Sequence, residues 1–193
     1  MTEREARRQG PLEPRIPPGT SADTGRLNHL IGRAAGLALG VSTPNLFSTL
    51  GRNRGLFRPW LRFAARLMPG GRLPRADTEL VILGVAHLTD SAYEWGHHER
   101  LGARAGLSRE EIDRVRQGPD APGWTPRRRL LLAAVGECHT DGKIGDATWA
   151  GLAAELDEPR LIELCLLIGH YEMLAMTLSS LRVQPEPPGR RLG

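Results

Sequence analysis

The apolar residues of this chain recur at the three-to-four-residue spacing of a helix and nowhere settle into the alternation of a half-buried strand, which restricts the fold to helices packed on helices. Leu27, Leu30, Ile31, Ala34, Ala35 and Ala38 make one stripe, and residues 44–50 start a second short helix. Phe57, Trp60, Leu61, Ala64, Ala65 and Met68 keep the period over residues 56–68, until Pro69-Gly70-Gly71 ends it. Residues 77–88 are almost uniformly apolar, which fits a central helix or a buried strand; their length and neighbours favour the helix. Ser91 is placed to cap the next helix, closing at Gly106, and Ser108 with Glu111 forms a capping box for another that turns Ile112 and Val115 inward. Pro126 suits the first turn of a helix carrying Leu130, Leu131, Leu132, Ala134 and Val135, and further helices are expected over 146–156 and 159–181. The expected fold is an all-α bundle of about eight helices.

A chain of 193 residues is long enough for one ordinary domain. The Pro-, Gly- and Arg-rich ends mark a flexible arm over 1–22 and a tail over 184–193, leaving a single domain over 23–183. The longest apolar run, 161–176, is broken by Glu163, His170 and Glu172 and falls short of the roughly 20 residues that span a bilayer, so no membrane partner is expected. Of the 26 basic residues only Lys143 is a lysine, and the arginines are spread over nearly every segment. Their one dense run, Arg127 to Arg129, reads as a solvated helix face, with no zinc-finger spacing or aromatic strand motif beside it, so no nucleic-acid partner is expected. Cys138 and Cys165 share no CxxC spacing, and the amino terminus has no apolar signal core, which suits a cytoplasmic protein.

Chemistry concentrates in Ser91-Ala92-Tyr93-Glu94-Trp95-Gly96-His97-His98. In a helix capped by Ser91, Glu94 and His98 stand at i and i+4 on one face, and Leu101 and Ala105 continue that face toward the interior. Burial lowers a histidine's pKa while a nearby carboxylate raises it, so such a pair can trade protons near neutrality. Two other readings stay open. Glu94 also fits the returning carboxylate of a Ser91 capping box, and His97 and His98 also fit core histidines bonded to backbone. A metal is not expected, since ExxHH reverses the order of a zinc-binding HExxH helix and no third ligand stands nearby.

The run Glu79-Leu80-Val81-Ile82-Leu83, then Tyr93-Glu94-Trp95-Gly96-His97-His98, Ala105-Gly106-Leu107-Ser108 and Glu110-Glu111-Ile112, resembles the carboxymuconolactone decarboxylase family, which includes the alkylhydroperoxidase-D-like proteins. The strong part covers about 72–115; weaker similarity runs through Pro44-Asn45-Leu46-Phe47, Leu161 to Leu164 and Tyr171 to Ala175. The resemblance implies a helical domain that assembles into homotrimers or hexamers, needs no cofactor, and has its pocket near the start of the helix carrying Glu94 and His98. Peroxidase members place cysteines where this chain has Ser91 and Glu94, so their thiol route through this motif is closed. Glu79 matches a glutamate of their proton relay and His98 its histidine. The decarboxylase branch places a glutamate four residues before the histidine, as here, which implies a lyase or isomerase acting on a small carboxylated lactone or carbonyl compound, with His98 moving the proton and Glu94 orienting it.

Arg58, Arg62 and Arg75 lie in segments expected to border the pocket and could grip a carboxylate. Tyr93 and Tyr171 could donate to an oxyanion, Trp60 and Trp95 could wall the site, and a small change of helix phase would put His97 in place of His98. Two alternatives are a peroxidase built on Cys138 or Cys165 with His139 or His170, and a binding or scaffold protein without catalysis.

Overall fold

A computed structural model of the chain describes residues 13–39 and 43–186, over which it has ten helices and no strand. These are α1 (Ser21–Thr24), α2 (Arg26–Leu39), α3 (Asn45–Leu50), α4 (Arg54–Leu67), α5 (Arg75–Leu88), α6 (Ala92–Arg104), α7 (Arg109–Val115), α8 (Pro126–Asp141), α9 (Asp146–Ala153) and α10 (Glu158–Leu181). Apolar spacing does not announce α1, because polar capping makes it: Asp23 accepts hydrogen bonds from the amide and the hydroxyl of Thr20. Contacts divide the chain into two compact units, residues 1–54 with 178–193, and residues 55–177.

In the first unit the stripe read along α2 is not a core face: Leu27 and Leu30 are 54% and 63% exposed, whereas Thr24 and Asn28 are buried. Ala38's side chain lies outside the described residues, as do 1–12 of the expected arm and 187–193 of the expected tail. The parts of both that are described are tied down. Arg15 donates from its amide to the Leu181 carbonyl, the Gly19 amide donates to Ser48, and Asn45 donates to Glu186 and to the Gln184 carbonyl.

The second unit is organised around α5, whose residues Asp77 to Ala86 are all buried. A helix covered on every side has no polar face to show, which is why this segment reads as uniformly apolar. Leu80 and Leu83 pack with Leu107, Ile112, Val115, Ala121, Trp124 and Leu132, the leucine, isoleucine and valine side chains each contributing about 1.5–3 kcal/mol by leaving water. The Ser108–Glu111 capping box is complete, and Thr125 caps α8 with Pro126 in its first turn. Of the arginine run opening α8 only Arg129 is exposed, for Arg127 pairs with the buried Asp77 at 2.7 Å and Arg128 with Glu111. These pairs give the acids of α5 and α7 counter-charges that adjacent apolar residues could not.

Helix α10 differs from its sequence reading. Its most apolar 18-residue window has a mean hydropathy of 1.5, so by length and composition alone it could cross a membrane. Its 24 residues instead bury Leu161, Leu164, Leu167, Ile168, Tyr171, Leu174 and Ala175 along one side, and 56% of the window is inside the protein. Glu163, one of the charges interrupting the run, accepts from the amides of Arg72 and Leu73 and so fixes the turn that leads into α5.

Candidate active site

Two neighbouring helices build the site. On α5, Arg75 and Glu79 stand one turn apart and pair at 2.5 Å, with the Glu79 side chain wholly inaccessible to solvent. On α6, Ser91 caps the helix by accepting from the Glu94 amide at 3.4 Å, which fixes the phase of the turns that follow. Gly102, one turn past His98, lets the helices approach: a Cβ there would stand 3.1 Å from Leu107 and 3.6 Å from the Cβ of Glu79. At this separation His98 Nδ1 donates to Glu79 Oε2 at 2.7 Å. A carboxylate only accepts, so the bond assigns the proton of the neutral ring to Nδ1 and leaves Nε2 as the position that can take another.

Glu94 and His98 are both buried on α6, yet the Glu94 carboxyl has no side-chain partner but Ser91, so the imidazole and this carboxyl are not bonded to each other. The reason is electrostatic. Glu79 has Arg75 to hold its charge and is the stronger acceptor, whereas the Glu94 carboxyl, 3% exposed, is pushed up by burial to about 7. A hydrogen bond from the Ser91 side chain lowers it and the like charge of Glu172 raises it, both less than burial does. The capping box read from Ser91-x-x-Glu94 is therefore only half made: the hydroxyl caps the helix, but the carboxylate does not return to the amide.

Tyr171 of α10 lies edge-on to the His98 ring at 5.2 Å. Its hydroxyl finds the Met68 sulfur at 3.6 Å, a weak acceptor. Burial, then the charges of Glu79 and Glu94, hold this phenol well above its ordinary value. Beyond it the rings continue through His170 (5.3 Å) to Phe63 (5.5 Å) and Trp60 (6.0 Å). Burial drives His170 down to about 4, and its Nδ1 has no partner inside the protein.

Other expected residues lie elsewhere. His97 takes the neighbouring face, where its Nδ1 accepts from Arg100 at 3.3 Å and its ring meets Tyr93 at 4.9 Å. The helix phase thus sends His98, not His97, toward Glu79. Trp95 packs against the hydrophobic core under the guanidinium of Arg116. Arg58 and Arg62 are exposed, and Arg75 is engaged by Glu79. Sequence reading missed Met68 and His170 as neighbours of Tyr171, because aromatic and sulfur contacts between helices leave no trace in local spacing.

A separate hollow of about 460 Å³ is lined by Cys138, His139, Lys143, Ile144, Trp149, Cys165 and Glu172, among others. His139 pairs with Glu172 at 2.9 Å, not with its neighbour Cys138. Burial, then the nearby charges of Cys165, Glu137 and Glu172, push the Cys138 thiol up to about 11 from an ordinary 9.0, and burial raises Cys165 as well. A thiol moved by two units holds about a hundredfold less thiolate at neutral pH. Iodoacetamide at pH 7.5 should accordingly alkylate Cys138 roughly 100-fold more slowly than a free cysteine in the unfolded chain. Equal rates, followed by peptide mass spectrometry, would restore thiol chemistry at this hollow.

The model of the carboxymuconolactone decarboxylase family matches residues 54–137, the segment that carries Arg75, Glu79, Glu94 and His98. A search of curated proteins finds no match. Among solved structures, an alkylhydroperoxidase D core, a peroxidase-related protein from Ralstonia eutropha JMP134, superposes with a TM-score of 0.78 at 15% identity over 90% of this chain and 92% of its own. A peroxidase-related protein from Silicibacter sp. TM1040 gives 0.78 at 14% identity over 92% and 96%. A variant of the debrominase Bmp8 in complex with 2,3,4-tribromopyrrole gives 0.77 at 17% identity over 92% and 94%. The all-helical architecture is thus shared with alkylhydroperoxidase-D-like structures, and residues 54–137 are similar to the carboxymuconolactone decarboxylase family.

Proposed function

We infer that this protein catalyses cofactor-free proton transfer to and from carbon in a small unsaturated carbonyl compound, with Glu94 as the acid/base. One observation carries the reading: the Glu94 carboxyl is buried, has no protein donor but the Ser91 hydroxyl of its own helix, and is pushed up to about 7. A general base works best when its pKa lies near the working pH, and carboxyls so raised by burial cluster at functional sites. In the proposed step the Glu94 carboxylate removes a proton from the carbon next to the carbonyl, and the C–H electron pair moves into the conjugated system and onto oxygen. The Tyr171 hydroxyl, held at present only by a thioether, is the nearby donor suited to that oxygen. Returning the proton from Glu94 at another carbon completes an isomerisation with no net change of charge.

His98 then plays a different part from the one its spacing suggested. Fixed by Glu79, it packs against the edge of Tyr171 and holds that ring in place. Loss of carbon dioxide from a carboxylated lactone is less well supported, because Arg75 is engaged by Glu79 while Arg58 and Arg62 are exposed. The expected homo-oligomer draws support from Ile162, Leu166, Met173 and Met176, which lie exposed along α10.

The test is solvent exchange. Cyclic unsaturated ketones and lactones, incubated with the protein in D2O at pD 7.5, should lose C–H signal next to the carbonyl by proton NMR. Glu94→Gln should slow that exchange about 10²- to 10⁴-fold, the usual contribution of a general acid/base. Exchange undiminished in this variant removes Glu94 from the chemistry.

A further inference from the structure

The geometry points to a second binding site, lined by none of Glu79, Glu94 or His98, for a planar aromatic molecule that carries one carboxylate. It is the hollow of about 460 Å³ formed by the end of α8, the turn after it, α9 and α10, a volume within the roughly 300–1,000 Å³ of small-molecule sites. Two glycines keep part of it clear: a Cβ on Gly142 or Gly169, both of which line it, would meet no neighbouring atom within 4 Å. Gly142 is explained by its left-handed backbone, φ 72°, which closes α8. Gly169 has no such reason, since it lies inside α10, where glycine weakens a helix, and its missing side chain leaves the hollow open.

The charges facing the hollow select a single anion. Lys143 is the one lysine or arginine lining it and is exposed, and among the described residues no carboxylate stands within ion-pair distance of its ammonium. The acids nearby already have donors. Glu172 accepts from His139 at 2.9 Å, and Glu137 accepts from the Gly145 amide at 2.8 Å and the Thr148 hydroxyl at 2.6 Å. The two thiols add no charge, because burial raises both. A ligand carboxylate therefore meets an ammonium that lacks a partner, whereas a cation would meet that ammonium's repulsion and a carboxylate already bonded to its histidine. A second anionic group would find no second cation of this kind and would stand near Glu172.

Trp149 sets the shape of the rest. It lines the hollow, is 41% exposed, and enters no ring or cation contact among the described residues. The other three indoles are engaged: Trp60 stacks on His170, Trp95 lies under Arg116 and Trp124 under Arg114. An open indole beside Ile144 and two neutral sulfurs is an apolar wall that a flat ring covers, with centroids about 4.5–7 Å apart, and removing both surfaces from water drives the contact.

The probe is 2-naphthoate, with 2-(aminomethyl)naphthalene as its cationic counterpart and inorganic phosphate as an anion without a ring. Calorimetric titration of the full chain at pH 7.5 should find naphthoate at least about fivefold tighter than the amine or phosphate, since reversing the ligand's charge turns one exposed ion pair into a repulsion. Lys143→Gln should weaken naphthoate about two- to fivefold, the yield of one such pair. Trp149→Ala should weaken it at least about fivefold, and Gly169→Leu, which puts a good helix former into the open space, at least about tenfold. Saturating naphthoate should also slow maleimide labelling of Cys165, which is exposed and borders the hollow, as followed by peptide mass spectrometry. The wild-type comparison and the labelling stand even if a variant misfolds. Amine or phosphate binding as tight as naphthoate, no naphthoate binding, an unprotected Cys165, or naphthoate affinity unchanged in folded Lys143→Gln overturns the assignment.

Discussion

Replacing Glu94 by glutamine should make the protein more stable at pH 8 while leaving its stability at pH 4 nearly unchanged. In the unfolded chain this carboxyl titrates at its ordinary 4.5, and in the folded protein burial raises it to about 7. Between those values the native state holds a proton that the unfolded state has released, so stability falls as the pH rises. The contribution is fully present below about 4.5, is lost progressively through the interval, and is wholly gone above about 7. A gap of 2.5 units corresponds to roughly 3 kcal/mol, a large share of the 5–15 kcal/mol that typically separates folded from unfolded domains. Glutamine keeps the shape without the charge. Urea unfolding at pH 4, 6 and 8 should therefore show a wild-type midpoint that declines relative to the variant's as the pH increases. Parallel midpoints at all three values would mean that the carboxyl finds a donor in solution. A residue that weakens the fold at the pH where it would work is what a functional site requires, since packing alone would have selected a neutral group.

Glu79→Ala should have the opposite character, destabilising at every pH near neutrality. Glu79 lies between Arg75 and His98 with no exposure, and its removal leaves the His98 Nδ1–H buried without an acceptor and opens space where α5 meets α6. Breaking a buried pair by deleting one partner costs about 3–5 kcal/mol. The partly exposed Arg75 can turn to water, which places the expected loss at the lower end of that range. Glu79→Gln, which retains volume and an acceptor oxygen, should recover most of it. A loss below about 1 kcal/mol for alanine, with an unchanged dependence on denaturant, would show that His98 is held by something else.

What could be read from the sequence was whatever depends on local periodicity and capping. The helical nature of α5 followed from the length of its apolar run, and the starts of α6, α7 and α8 from Ser91, Ser108 and Pro126 with their neighbours. That Glu94 and His98 share a buried side of one helix was equally legible. Their chemistry was not, because His98 takes its acceptor from a residue 19 positions earlier, and a helix wheel carries no term for an adjacent helix. Glu79 entered as a candidate only through the family resemblance. The half-made capping box shows the same limit: the cap depends on Ser91 alone and was correct, while the fate of the carboxylate depends on burial. Leu27 and Leu30 fail for the complementary reason, since a stripe at the right period says that a face is apolar but not that anything covers it.

The solitary ammonium side chain of this arginine-rich protein, Lys143, borders the same hollow as both thiols. An amine-directed dye or resin consequently has one side-chain address on the whole molecule, beside the His139–Glu172 pair and away from Glu79 and His98. Immobilisation chemistry that scatters attachment over most protein surfaces would here be limited to the α-amino group and this one side chain just past α8.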